Sequence, residues 1–242
     1  VMMYGVIIVI GVLAGMISGI VGTGSSIMLL PALAYTFGPK TAIPVMAVAA
    51  IVGNISRVIL WRKDINLKAF FLYTVPGIPA AILGANTLWA LPATLSNLLI
   101  GLFFLLLIPL RHWARKKTLS LSDGQLALSG ALVGFLTGVV FSTGPLTIPV
   151  FAGYGLAKGA LLSTEAAASF AIYLAKASTF RAIGAMPGSV LLSGLLVGLT
   201  LVAGMMIGKK FVVKMSDKTF HRFVDGMLML AGLSLLWDAV NP

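Results

Sequence analysis

Two short polar sequences interrupt long apolar runs, and their residue types suit holding an anion against bare main chain, with tight helix packing at the glycines as the alternative. Gly22, Thr23, Gly24, Ser25 and Ser26 stand inside one run; Ser142, Thr143 and Gly144, followed by Pro145, stand inside another. Serine and threonine cap helix starts, proline suits a first helical turn, and glycine lets a ligand approach the backbone. A helix that begins there, within a membrane, turns free N–H groups and the positive end of its dipole toward whatever precedes it, and two such ends facing each other make an anion site.

Arg57 and Lys176 add positive charge. Both lie toward the ends of otherwise apolar segments, where an intramembrane charge costs ~2.5–3.5 kcal/mol on insertion scales and marks a functional candidate. Asn54 and Tyr173 each stand three residues earlier, on the same helix face as their cation. Plainer roles exist for each: the cations snorkel to the headgroups, and the polar neighbours tie helices together. Glu165, the sole glutamate, is a candidate proton carrier, since a carboxyl in a low-dielectric site titrates toward the working range. Its alternatives are an ion pair with a basic residue and an ordinary place at a helix start. Asp225 carries a weaker suggestion, because Arg222 lies close by in sequence.

Nothing reads as catalysis. The chain has no cysteine, which excludes disulfides and thiolate chemistry. His112 and His221 lie beside basic links, where solvation explains them. No HExxH, paired-carboxylate, Ser/His/Asp or phosphate-loop arrangement occurs. The expectation is no enzyme, no cofactor and no metal.

The elements that must position these residues are membrane helices. Of 242 residues, 59% are hydrophobic and 10% charged, and the mean hydropathy is +1.06. No single soluble core hides that much apolar surface, and several runs reach the ~20 residues needed to cross a bilayer. Eight apolar segments follow: Tyr4 to Phe37 (interrupted), Ala42 to Trp61, Ala69 to Trp89, Ala93 to Leu110, Leu126 to Leu156 (interrupted), Ala160 to Phe180, Ser189 to Val213 and Phe223 to Trp237. The first is too long and too glycine-patterned for a signal peptide. The net charge of +11 gathers in short links, which reads as membrane orientation rather than nucleic-acid binding.

The polar link Arg111 to Gln125 separates two matching halves: residues 1–110 as a first transmembrane repeat, 111–125 as a basic cytoplasmic linker and 126–242 as a second repeat. One constant spacing relates Gly11 to Gly130, Gly15 to Gly134, Gly19 to Gly138, Arg57 to Lys176 and Arg62 to Arg181. The glycines at four-residue spacing suit close helix packing. Arg62, Lys63 and Lys68 occupy one link, Arg111, Arg115, Lys116 and Lys117 the central one, and Lys209, Lys210, Lys214 and Lys218 the link after the seventh segment. With eight simple spans the last of these falls opposite the other two, against the positive-inside rule. The conflict disappears if the first and fifth segments enter, turn at GTGSS and STGP, and return. Each half then holds three spans and one hairpin, an odd number that inverts one half relative to the other. Eight kinked spans with poor charge bias remain the alternative.

The pattern G-x-x-G-x-G-small-small from Gly19 to Ser26 with a following proline, Pro31, repeated as G-x-x-x-S-T-G-P from Gly138 to Pro145, resembles the TauE/SafE family of sulfite and organosulfonate exporters. The resemblance covers essentially the whole chain. Ser25 and Ser26 stand where glycine is common in the family, and Phe141 takes the place of Gly22. The resemblance implies a multi-pass cell (inner) membrane protein that exports a sulfur oxyanion such as sulfite or a small sulfonate. The residues themselves point to a small anion bound between the two tips and moved by alternating access, as in a secondary transporter. An anion channel is the alternative, followed by an intramembrane enzyme or a structural subunit. The expected partners are a small anionic substrate and the lipid bilayer, with no nucleic acid; a homodimer stays open.

Overall fold

The computed structural model describes residues 36–116, 120–140, 142–208 and 217–240, together with 5, 8, 9, 11, 12, 15, 16, 29 and 33. Among the described residues the protein is helical with no strand. Helix α1 covers Pro39–Trp61, α2 Leu67–Ala90, α3 Ala93–Lys116, α4 Asp123–Val139, α5 Gly144–Gly153, α6 Lys158–Ala182, α7 Gly188–Gly208 and α8 Asp217–Val240. The predicted apolar segments from Ala42 onward reappear as these helices, the fifth as α4 and α5, while most of the first, Tyr4 to Phe37, lies outside the described residues. Helix α3 runs on past Leu110 to Lys116, carrying the first basic residues of the central link as a continuous helix.

Local chemistry sets the boundaries. Gly38, at φ 75°, precedes Pro39 at the start of α1, a conformation glycine adopts without a Cβ penalty. Asn66 caps α2 by accepting from Ala69 N at 2.9 Å, and Ser122 with Gln125 forms a reciprocal capping box at the start of α4. Gly184, at φ 76°, closes α6, with Ala185 N bonding Phe180 O at 2.8 Å.

Three stretches, Lys40–Ile59, Leu67–Ala90 and Ala93–Leu110, are long and apolar enough to cross a membrane. Large apolar side chains point outward all round, among them Ile59, Leu83, Leu106, Leu132, Leu199 and Trp237. Such a surface is stable against lipid and not against water. Helix α6 differs: of its large apolar residues Leu174 is exposed, while Glu165 (2%) and Lys176 (0%) are buried. It packs against α1, α2, α4 and α5 and forms the centre of the bundle.

The closest helix pairs join the two halves of the chain: α2 with α4, α3 with α8, α1 with α7, α1 with α6 and α2 with α6. Glycines make the closest approach. A Cβ on Gly134 would lie 2.5 Å from Gly77 O and 2.8 Å from Gly77 Cα, and one on Gly138 would collide with Ala81, Gly84 and Ala85. Gly15 meets Leu201 and Gly204 in the same manner. These glycines serve helix packing, as their spacing predicts. Gly204 faces Val12 and Gly15 as Gly84 faces Phe135 and Gly138, so packing matches Gly15 with Gly138, one helical turn beyond the Gly134 that sequence spacing selects.

The interrupted segment α4–α5 returns to the end of the bundle it left. Leu121 N donates to Gly153 O at 2.8 Å, and Tyr154 Oη donates to Asp123 Oδ1 at 2.7 Å. Asn66 N donates to Thr164 Oγ1 at that end. At the opposite end Lys40 Nζ donates to Trp89 O and Leu91 O at 2.9 and 3.0 Å. Helix α1 therefore finishes where α6 begins.

Candidate functional site

Helix α4 stops at Val140, whose N–H bonds Leu136 O at 2.8 Å, and α5 starts at Gly144. Between them Ser142 and Thr143 are buried. The Thr143 carbonyl accepts from Leu146 N at 2.8 Å and Thr147 N at 3.0 Å, and Pro145 has no N–H. Of these first-turn donors, that leaves Gly144 N, 3.4 Å from Ser142 Oγ. The expectation of several free N–H groups is therefore corrected at this tip: helix α5 satisfies its own start, and what surrounds the break is hydroxyl. Thr137 Oγ1 gives its proton to Val133 O at 2.7 Å, so in its 2.5 Å contact with Thr143 Oγ1 the donor is Thr143. The other predicted tip, Gly22, Thr23, Gly24, Ser25 and Ser26, lies outside the described residues.

Lys176 reaches the break from α6. Its ammonium donates to Thr137 O and Val140 O, both at 2.6 Å, and lies 5.6 Å from the Tyr173 ring centroid and 5.8 Å from that of Phe180. The two carbonyls belong to the last turn and the cap of α4, where partial negative charge collects. Among the described residues no carboxylate pairs with it. Tyr173, one turn earlier, meets the Ser142 side chain and the Thr143 main chain. The structure thus brings Tyr173, Lys176, Ser142, Thr143 and Gly144 together, with Thr137 as an addition.

Arg57 is placed differently. Its Nη1 pairs with Glu165 Oε2 at 2.8 Å, and its Nη2 bonds Asn54 Oδ1. Glu165 Oε1 accepts from Thr147 Oγ1 at 3.0 Å and Ser169 Oγ at 2.8 Å. Arg57 is 19% exposed and Glu165 is 2% exposed, so neither charge is free and snorkelling is not what Arg57 does. Of the readings open for Glu165, the ion pair is the one present. Thr147 connects the two clusters, since its hydroxyl also lies 3.1 Å from Gly144 O. Ser169 stands one turn after Glu165, a spacing that signals a same-face neighbour. Thr137 and Thr147 carry no comparable signal.

Both ends of the broken segment are tied down beyond the spans. Lys68 Nζ lies 2.7 Å from Asp123 Oδ2. Its hydrogen bond, and then that of Tyr154, hold the Asp123 carboxyl below its ordinary range, while the bond to Asp123 pushes the Tyr154 phenol up. His112 Nε2 lies 3.3 Å from Asp225 Oδ2, linking α3 to α8.

No curated protein and no solved structure matches this chain. A family model described as "Sulfite exporter TauE/SafE" matches residues 7–235, a span that takes in both interruptions, the α6 cluster and all but the outermost residues of the predicted membrane segments. That family consists of membrane transporters, which agrees with an apolar multi-helix chain whose polar residues converge on a broken helix. The chain belongs to the TauE/SafE family of sulfite exporters.

Proposed function

We propose that the protein is a secondary transporter that exports a small anion, a sulfur oxyanion such as sulfite or a small organosulfonate, across the cell (inner) membrane. The observation that carries this reading is Lys176: a fully buried ammonium at a helix break, hydrogen-bonded to carbonyls and paired with no carboxylate among the described residues. A buried charge costs several kcal/mol unless it is compensated, and an anion at the break supplies the compensation. Ser142, Thr143 and Gly144 then line one side of the anion, with Tyr173 and Lys176. Gly22, Thr23, Gly24, Ser25 and Ser26 line the other in the corresponding tip. Asn54 and Arg57 form a second basic wall, held back by Glu165; protonation of Glu165 releases Arg57 toward the anion, which makes Glu165 the coupling group.

The helix directions support two inverted repeats working by alternating access. Helix α1 ends where α6 begins, and α4–α5 enters and leaves at one end of the bundle. Export of an anion from a cell negative inside is favoured by ~2.3 kcal/mol per charge per 100 mV, so no nucleotide is required. In reconstituted vesicles, sulfite efflux saturates with concentration in the wild type and is lost in Gly144→Leu, while the variant's thermal transition is retained. Normal efflux by that variant removes the break from the mechanism, and efflux that never saturates identifies a channel.

A further inference from the structure

Tyr73 is a buried donor with no acceptor among the described residues. It lies on α2 at 1% exposure, and its hydroxyl meets no hydrogen-bond partner among the described residues. A phenol buried without an acceptor destabilises the fold, and buried tyrosines usually find a partner. The ring is fixed rather than adrift. It lies 4.8 Å from the Phe151 ring, centroid to centroid, its main chain is pressed by Gly130 of α4, and it shares a core cluster with Ala168 and Ile172 of α6.

Those neighbours adjoin residues of the site. Phe151 stands one turn after Thr147, whose hydroxyl bonds Glu165; Ala168 precedes Ser169, which bonds the same carboxylate; and Ile172 precedes Tyr173, which meets Ser142 and Thr143. The Tyr73 hydroxyl lies within electrostatic range of both Glu165 and Tyr173. Glu165 is not its acceptor in the structure: Oε1 accepts from Thr147 and Ser169 and Oε2 from Arg57, and the Tyr73 hydroxyl meets neither oxygen. Among the described residues no acceptor reaches the hydroxyl at the junction of α2, α5 and α6.

We infer that the Tyr73 hydroxyl is a substrate-binding group, donating a hydrogen bond from the α2 side to an oxygen of the anion held at the break between α4 and α5. The inference rests on the anion site proposed above and extends it to a third helix.

Tyr73→Phe tests this with little risk to the fold, because the ring keeps its place against Phe151. Calorimetry with sodium sulfite on the purified protein is expected to show affinity weakened about tenfold, the effect of one hydrogen bond to a charged acceptor. The thermal transition without sulfite stays level or rises, since a desolvated hydroxyl has been removed. An unchanged dissociation constant in Tyr73→Phe, with wild type binding sulfite and Gly144→Leu failing to, overturns the role of Tyr73 and leaves the break as the site. Wild type that binds no sulfite, or Gly144→Leu that binds it as wild type does, overturns the site itself and the Tyr73 inference with it.

Discussion

Arg57 near the end of α1 and Lys176 near the end of α6 occupy matching places in the two halves, and the fold treats them in opposite ways. Arg57 meets a carboxylate, Glu165, and an amide, Asn54. Lys176 meets the carbonyls of Thr137 and Val140. The first cluster is an ion pair of no net charge with a firm hydrogen-bond frame. In the second, carbonyl dipoles solvate a protonated amine without cancelling its charge. Two cations that look equivalent along the chain are thus placed differently: one pairs α1 with α6, and the other stands at the break, where the proposed site would use its charge.

The largest expected effect tests the first half of that contrast. Arg57→Gln leaves Glu165 buried without its partner and lowers stability by about 3–5 kcal/mol, the cost of an uncompensated buried charge. The double variant Arg57→Gln/Glu165→Gln recovers most of the loss, since two amides of similar size bury no net charge. Thermal unfolding in detergent measures both. Equal transitions for the single and double variants would break the comparison.

The second half turns on ligand rather than fold. Lys176→Met keeps most of the volume and removes the charge, so sulfite affinity falls by more than tenfold, or ~1.5–3 kcal/mol for a lost charge-assisted bond. Stability without the anion changes less than in Arg57→Gln, because removing an uncompensated charge offsets the two lost carbonyl contacts. Titration calorimetry separates the two cations: a large affinity loss with a modest shift in transition is the signature expected of Lys176. The reverse pattern would make Lys176 a structural strap on α4.

The smallest effect lies at the exposed ends of the same broken segment. Asp123 is held below the ordinary carboxylate range by Lys68 and then Tyr154, so folding favours its ionised form. That contribution is present above the ordinary carboxylate range and is lost as pH falls through the lowered value. Lys68→Gln therefore lowers the transition slightly at neutral pH, and the difference from wild type closes in acid. A difference that persists unchanged in acid would assign Lys68 to packing instead.

How much of this could be read along the chain follows from the range of the forces involved. Apolar runs, helix breaks and caps depend on neighbours within a turn or two, so the span positions, the STGP break and the packing glycines were legible from residue type and spacing. Lys176 and Arg57 could be picked out for the same reason, as charges in apolar surroundings. Their partners could not. Glu165 and Arg57 belong to different halves of the chain, the acceptors of Lys176 are main-chain oxygens that every residue possesses, and Tyr73 looks like an ordinary span tyrosine until its neighbours close round it.

The amino-acid sequence by itself determined a helical membrane chain with two polar interruptions and two intramembrane cations, because hydropathy and capping are properties of short segments. Only the tertiary structure decided that α6 is the central helix, that Glu165 neutralises Arg57 and not Lys176, and that α5 satisfies its own first turn. Each of these depends on which helix faces meet across the two halves, and that is set by close packing at glycines such as Gly134 against Gly77, a choice made by shape over the whole bundle and not by any one segment.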